Sequence, residues 1–135
     1  MSDLLIFDTS VLIDHLRTGC HQARIQNLRG LIRSSAVVLA EMWRGAAKRA
    51  ERDFLQALTR NHPVLTPTET NWLESGQILG RISADHGFAP AKLRDLHFDL
   101  LIALTARSSG ARLITSDRED FELLYRYRKF VLEIW

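Results

Sequence analysis

Cysteine is almost missing from this chain: Cys20 stands alone. A single thiol builds neither a disulfide framework nor a zinc cage, so folding must rest on an apolar core, and the solitude of Cys20 agrees with a reducing cytosol. Proline and glycine are sparse, at three and seven residues of 135. No stretch is low in complexity and no repeat is visible, which excludes solenoids and disordered arrays. Long apolar runs are lacking too. Leu4 to Phe7 and Ala36 to Ala40 fall far short of the roughly 20 residues a membrane span requires, and neither has the flanks of a signal peptide. A cytoplasmic protein with no membrane partner is expected. Excess charge is also missing, since a net +2 is too small to announce a nucleic-acid partner in bulk. Lysine is scarce, with three residues against fifteen arginines. Arginine's planar fork suits phosphate, although a GC-rich genome produces the same bias.

What remains is the make-up of one globular domain, 46% hydrophobic and 25% charged, spanning residues 1–135. Strands and helices alternate along it. Leu4 to Asp8 is a short apolar run, after which Val11, Leu12 and Leu16 fall at helical spacing until Gly19. An amphipathic segment covers His21 to Leu28, and Leu31 to Ala36 is a strand feeding a helix over Val38 to Lys48, which continues from Arg49 to Arg60. His62 to Thr66 is a weaker strand. Thr68 or Thr70 caps a helix bearing Trp72, Leu73, Ile78, Leu79 and Ile82 and ending by Gly87. Phe88 to Arg94, with Pro90, is predicted as a loop, followed by a helix from Asp95 to Ser108. Arg112 to Thr115 is a buried strand, Asp117 to Tyr125 a short helix, and Phe130 to Ile134 a last strand. Strands separated by helices, with no two-residue hairpin signal, imply crossover units and an α/β fold: a three-layer α/β/α sandwich around a mostly parallel sheet. Ligands of such sheets sit at the carboxyl ends of the strands.

That rule directs attention to four acids. Asp8 follows Leu5-Ile6-Phe7 and Asp117 follows Leu113-Ile114-Thr115-Ser116, while Glu41 and Asp99 abut the apolar helical runs Val37 to Ala40 and Leu100 to Leu104. A buried carboxylate must be paired, protonated or bound to metal. A shared divalent ion settles all four at once, and an all-oxygen set suits Mg²⁺ or Mn²⁺ more than zinc. Each acid also has an ordinary alternative. Asp8 and Asp117 can cap the helices that follow them, Glu41 can pair with Arg44, and Asp99 can pair with Arg107 or lie exposed.

Asp8-Thr9-Ser10-Val11-Leu12-Ile13-Asp14 resembles the opening motif of the PIN-domain nucleases. Three further segments agree in order: Leu39-Ala40-Glu41 with Trp43-Arg44-Gly45, Asp99-Leu100-Leu101-Ile102-Ala103 with Ala106, and Leu113 to Asp117 with Asp120-Phe121. The resemblance runs from about Leu4 to Phe121 and is greatest to the VapC toxins of toxin-antitoxin pairs. Two departures, Leu104-Thr105 in place of a second alanine and Ser116 in place of asparagine or arginine, remove no acid and bear on substrate preference. The resemblance implies a PIN-like fold and a Mg²⁺- or Mn²⁺-dependent endoribonuclease leaving 5′-phosphate and 3′-hydroxyl ends. It also implies a homodimer and a cognate VapB-like antitoxin. On this reading Asp8, Asp99, Asp117 and Glu41 are the catalytic metal ligands, with Thr9, Ser10, Thr115 and Ser116 orienting them. The helices bearing Val11, Leu12 and Leu16 and bearing Phe54, Leu55 and Leu58 are expected to wall the antitoxin's groove. The tryptophans and the stretch Ile78, Leu79 and Ile82 are candidates for self-association, with Trp43 expected in the core.

Other readings remain distinguishable. A haloacid-dehalogenase-type phosphatase needs a second aspartate two residues after the first, where this chain has Ser10, and Lys48, Lys92 and Lys129 are poorly placed for its phosphate. A ribonuclease-H-like fold opens with antiparallel strands, whereas a helix follows the first strand here. A degenerate PIN adaptor that binds RNA or protein without cutting is separated by mutation: it tolerates Asp8→Asn, and a nuclease does not.

Overall fold

A computed structural model describes residues 3–135. Among the described residues, five strands form a single sheet in the order β3-β2-β1-β4-β5, all parallel. β1 (Leu4–Phe7) occupies the middle, flanked by β2 (Leu31–Ser35) and β4 (Ala111–Thr115), with β3 (Val64–Leu65) and β5 (Leu132–Ile134) at the edges. The register sets Ile6 opposite Leu113 and Phe7 opposite Ile114. Leu5, Ile6, Leu113 and Ile114 are wholly buried, as expected of central parallel strands covered on both faces.

The crossovers among the described residues are made by seven helices: α1 (Thr9–Thr18), α2 (Gln22–Gln26), α3 (Ala36–Gly45), α4 (Arg49–Asn61), α5 (Glu69–His86), α6 (Pro90–Ser108) and α7 (Arg118–Tyr127). Their ends are set by local chemistry. Gly19 closes α1 in the left-handed conformation (φ 66°), which costs glycine nothing. Ser35 passes β2 directly into α3 by accepting a hydrogen bond from the Val38 N–H at 3.3 Å. At Gly30, φ is 134°, and a Cβ would collide with the backbone oxygen of Asp3, so only glycine fits this entry to β2.

Two expectations need correction. The helix expected to run on from Lys48 is broken: Ala46 is extended after α3, and α4 starts afresh where Glu51 accepts a hydrogen bond from the Lys48 N–H at 3.1 Å. The predicted loop from Phe88 to Arg94 is mostly helix. Pro90 is the first residue of α6 and not a breaker, because its missing N–H is one of the helix's unpaired donors and its fixed φ is helical. α6 thereby gains a whole turn, and Lys92 rides on it.

The sheet connections run from β1 outward to β2 and β3, whereas β4 and β5 lie on β1's other side. The order thus reverses between β1 and β4, and a crevice opens at their carboxyl ends.

Candidate functional site

Asp8 and Asp117 stand at that crevice, one residue past β1 and two past β4. Asp8 is buried and continues the sheet ladder, its N–H donating to the Ile114 carbonyl at 2.8 Å. Its Oδ2 accepts from the Ser10 hydroxyl at 2.8 Å and the Thr115 hydroxyl at 2.9 Å, with a longer bond from the Ser10 N–H at 3.4 Å. Each hydroxyl has one proton to give. Both protons therefore go to Asp8, and the 3.2 Å approach between the two hydroxyl oxygens is a contact of acceptors. Those oxygens accept in turn from the N–H groups of Ser116 and Asp117, each at 3.0 Å. The network ties α1 to the end of β4 and concentrates hydrogen bonds on one oxygen of Asp8.

Glu41, half-buried on α3, accepts from the Thr9 hydroxyl at 3.1 Å. Burial raises its pKa, the Thr9 bond opposes this, and the Asp8 charge adds to it. The alternative partner Arg44 lies instead with its guanidinium 6.0 Å from the Phe98 ring. Asp117 caps α7, accepting from the Asp120 N–H at 3.2 Å. Capping does not remove it from the cluster: Asp99, Asp117 and Asp120 each place a carboxylate oxygen within 4.8 Å of the others. Burial raises the Asp117 pKa, with the neighbouring Asp120 and Asp8 adding to the effect.

Asp99 has the most extreme environment. It makes no hydrogen bond or ion pair among the described residues, and its other candidate partner, Arg107, donates to the Lys129 carbonyl. Burial first, then the charges of Asp8, Glu41, Asp117 and Asp120, pushes its pKa up to about 9. The electrostatics therefore link all five acids across four elements. Without a divalent ion, Asp99 is the one on which they press a proton.

Of the residues expected to orient the acids, Thr9, Ser10 and Thr115 hydrogen-bond to them directly. Ser116 differs: its N–H enters the network, but its hydroxyl is buried without a partner. Asp120 stands in a sequence motif without an expected ligand's part, and Lys92, weighed from sequence only as a poorly placed phosphate contact, has its Nζ 2.7 Å from Asp120 Oδ1. Three-residue spacing puts Asp117 and Asp120 on one face of the first turn of α7, a signal available in the sequence. Lys92 lies 28 residues away and carried no such signal.

A comparison with the curated proteins finds no match. Among solved structures the chain is similar to VapBC2 of Rickettsia felis, solved bound to a promoter DNA fragment, with TM-score 0.72 and 20% identity over 98% of each chain. VapBC-1 of nontypeable Haemophilus influenzae gives 0.70 and 22% over 98% of each chain. DNA-bound VapBC of Salmonella typhimurium gives 0.64 and 22%, covering 100% of this chain and 99% of that one. At these identities the likeness is one of fold. Sequence carries the assignment further, because residues 5–127 match the PIN domain, a span that begins in β1, ends in α7 and contains every acid of the cluster. The chain belongs to the PIN domain family.

Proposed function

We propose that this chain is a divalent-metal-dependent endoribonuclease and the toxin of a toxin-antitoxin pair. The observation that carries the reading is Asp99, a half-buried residue whose carboxyl has no partner among the described residues and lies among four other acids, its pKa pushed up to about 9. A purely structural acid acquires a partner or a capping role, and this one has neither. The donor set fits Mg²⁺ or Mn²⁺, being all carboxylate oxygen, with Asp99, Asp117 and Asp120 close enough to share an ion. Asp8, Asp99 and Asp117 are the proposed ligands, with Glu41 binding directly or through water and Asp120 joining them.

The chemistry such an ion supplies is a water of lowered pKa, a polarised phosphate and neutralised charge on the leaving oxygen. The chain's own part is positioning. Ser10 and Thr115 fix the Asp8 carboxylate, Thr9 fixes Glu41, and the N-cap geometry fixes Asp117, so little side-chain entropy remains to be lost when substrate binds. The Ser10 hydroxyl is committed to positioning, donating to Asp8 and accepting from the Ser116 N–H, which favours water as the attacking group.

The similar structures are VapBC complexes, and a groove here suits a partner helix. It has a volume of about 180 Å³ between α1, α3 and α4, lined by Ile13, Leu16, Met42 and Leu55 and edged by Arg17, Glu41 and Glu51. An amphipathic antitoxin segment laid there could direct an arginine onto Glu41 and the acids beyond it. The expected walls need revision. Val11, Leu12 and Leu55 are core residues, and Leu55 forms only the floor, so Ile13 and Leu16 are the accessible contacts on α1.

Cleavage of a total RNA pool tests the enzymatic reading. Mg²⁺ or Mn²⁺ should support it, EDTA should abolish it, and Asp8→Ala and Asp99→Ala should be inactive while retaining the native circular dichroism spectrum. Full activity in EDTA overturns the proposal.

A further inference from the structure

Lys92 stands where helix energetics disfavour it. It is the third residue of α6, whose first turn has no acid, and a positive charge at a helix N-terminus opposes the macrodipole. The compensation comes from α7: Lys92 Nζ lies 2.7 Å from Asp120 Oδ1, with the lysine side chain 39% exposed and the aspartate 15%. Lys92 and Asp99 are seven residues apart on α6, two helical turns, and so share a face. α6 therefore brings a cation and the unpartnered acid of the cluster to one wall of the crevice, and Asp120 reaches both.

We propose that Lys92 is a positioning residue of the acid cluster, its ammonium holding Asp120 beside Asp99 and Asp117 as a built-in counter-charge that a divalent ion must compete with in order to bind. Lys92 thus supports the metal-free fold and weakens affinity for the ion. This inference rests on the metal-dependent reading above. A lysine that merely staples α6 to α7 would affect stability alone, so the two roles separate in a binding measurement.

The test is Mn²⁺ binding to the full chain, by calorimetry and by loss of the free-ion electron paramagnetic resonance signal, in wild type, Lys92→Met, Lys92→Gln and Lys92→Arg. The neutral variants should bind Mn²⁺ about two- to fivefold more tightly, the range of one partly exposed ion pair, and melt at a lower temperature in EDTA. Lys92→Arg should stay near wild type in both. If the wild type binds Mn²⁺ and the neutral variants bind it equally or more weakly, the Lys92 proposal is overturned and the metal reading stands. If the wild type binds no Mn²⁺, both fall.

Discussion

Burial, then the neighbouring acids, push the Asp99 pKa from an ordinary 3.8 up to about 9, so between those values the metal-free folded chain holds a proton there that the unfolded chain releases. With more protons bound to the native state, stability falls as pH rises between those values. Asp99→Asn should flatten that slope and raise the melting temperature in EDTA at pH 8 by about 3 °C or more, corresponding to roughly 1 kcal/mol in a domain of this size. Thermal melts at pH 5 and pH 8 check this, and an unchanged slope would mean that burial and the neighbouring acids do not hold a proton on Asp99. The hydroxyls beside Asp8 divide in the same way. Thr115→Val removes a donor to Asp8 and an acceptor for the Asp117 N–H, so it should cost about 1–3 kcal/mol in urea unfolding. Ser116→Ala deletes a buried hydroxyl with no partner and should be neutral or stabilising. Asp8 and Asp117 were legible because each ends an apolar strand run. The unequal roles of Thr115 and Ser116 were not, because both are small hydroxyl residues at the same strand end, and side chains alternate across the sheet, so the register of β4 decides which one faces Asp8.

Among the elements, central strands and amphipathic helices were readable from periodicity, and misreadings arose where one residue type serves two structural ends. Pro90 looked like a loop signal and is a helix start. Leu12 and Leu55 looked like groove walls, yet spacing alone cannot tell the core-facing side of a helix from the side facing a partner. Trp43, expected inside, is 39% exposed, since α3 turns Val38, Leu39 and Met42 inward. The groove between α1, α3 and α4 yields a prediction that follows this distinction. Leu16→Glu, at an exposed position, should preserve folding and RNA cleavage while weakening inhibition by the co-expressed antitoxin at least tenfold in titration. Leu12→Glu, which buries a charge, should prevent folding. Inhibition of the Leu16 variant at wild-type strength would place the antitoxin elsewhere.

At the scale of the molecule, the apolar surface expected to serve self-association is kept at Trp72 and lost at Ile78 and Ile82. Ile78 and Ile82 are core residues, whereas Trp72 and Leu73 on the same helix are 51% and 64% exposed. Leu73 also borders an open cleft of about 580 Å³ with Gln77, Arg81 and Tyr127. A homodimer using this face should appear in light scattering at micromolar concentration and dissociate in Leu73→Arg with the melting temperature nearly unchanged. A monomeric wild type would remove the dimer from the account. The reversal of strand order between β1 and β4 makes a single crevice, and the acids gather there from α1, α3, α6 and the start of α7. That convergence could be anticipated from strand-end acids, but not the entry of Asp120 and Lys92, which depends on how α6 and α7 pack.

The central claim is that these acids serve a divalent ion that turns water against an RNA phosphodiester. Its most direct test is end-group analysis of a labelled single-stranded RNA incubated with the purified protein in Mg²⁺ or Mn²⁺ and in EDTA, beside Asp99→Asn. The account predicts products with 5′-phosphate and 3′-hydroxyl ends, formed only with the ion and only by the wild type. Cleavage in EDTA that leaves 2′,3′-cyclic phosphates would show the RNA's own hydroxyl as the attacking group and contradict it.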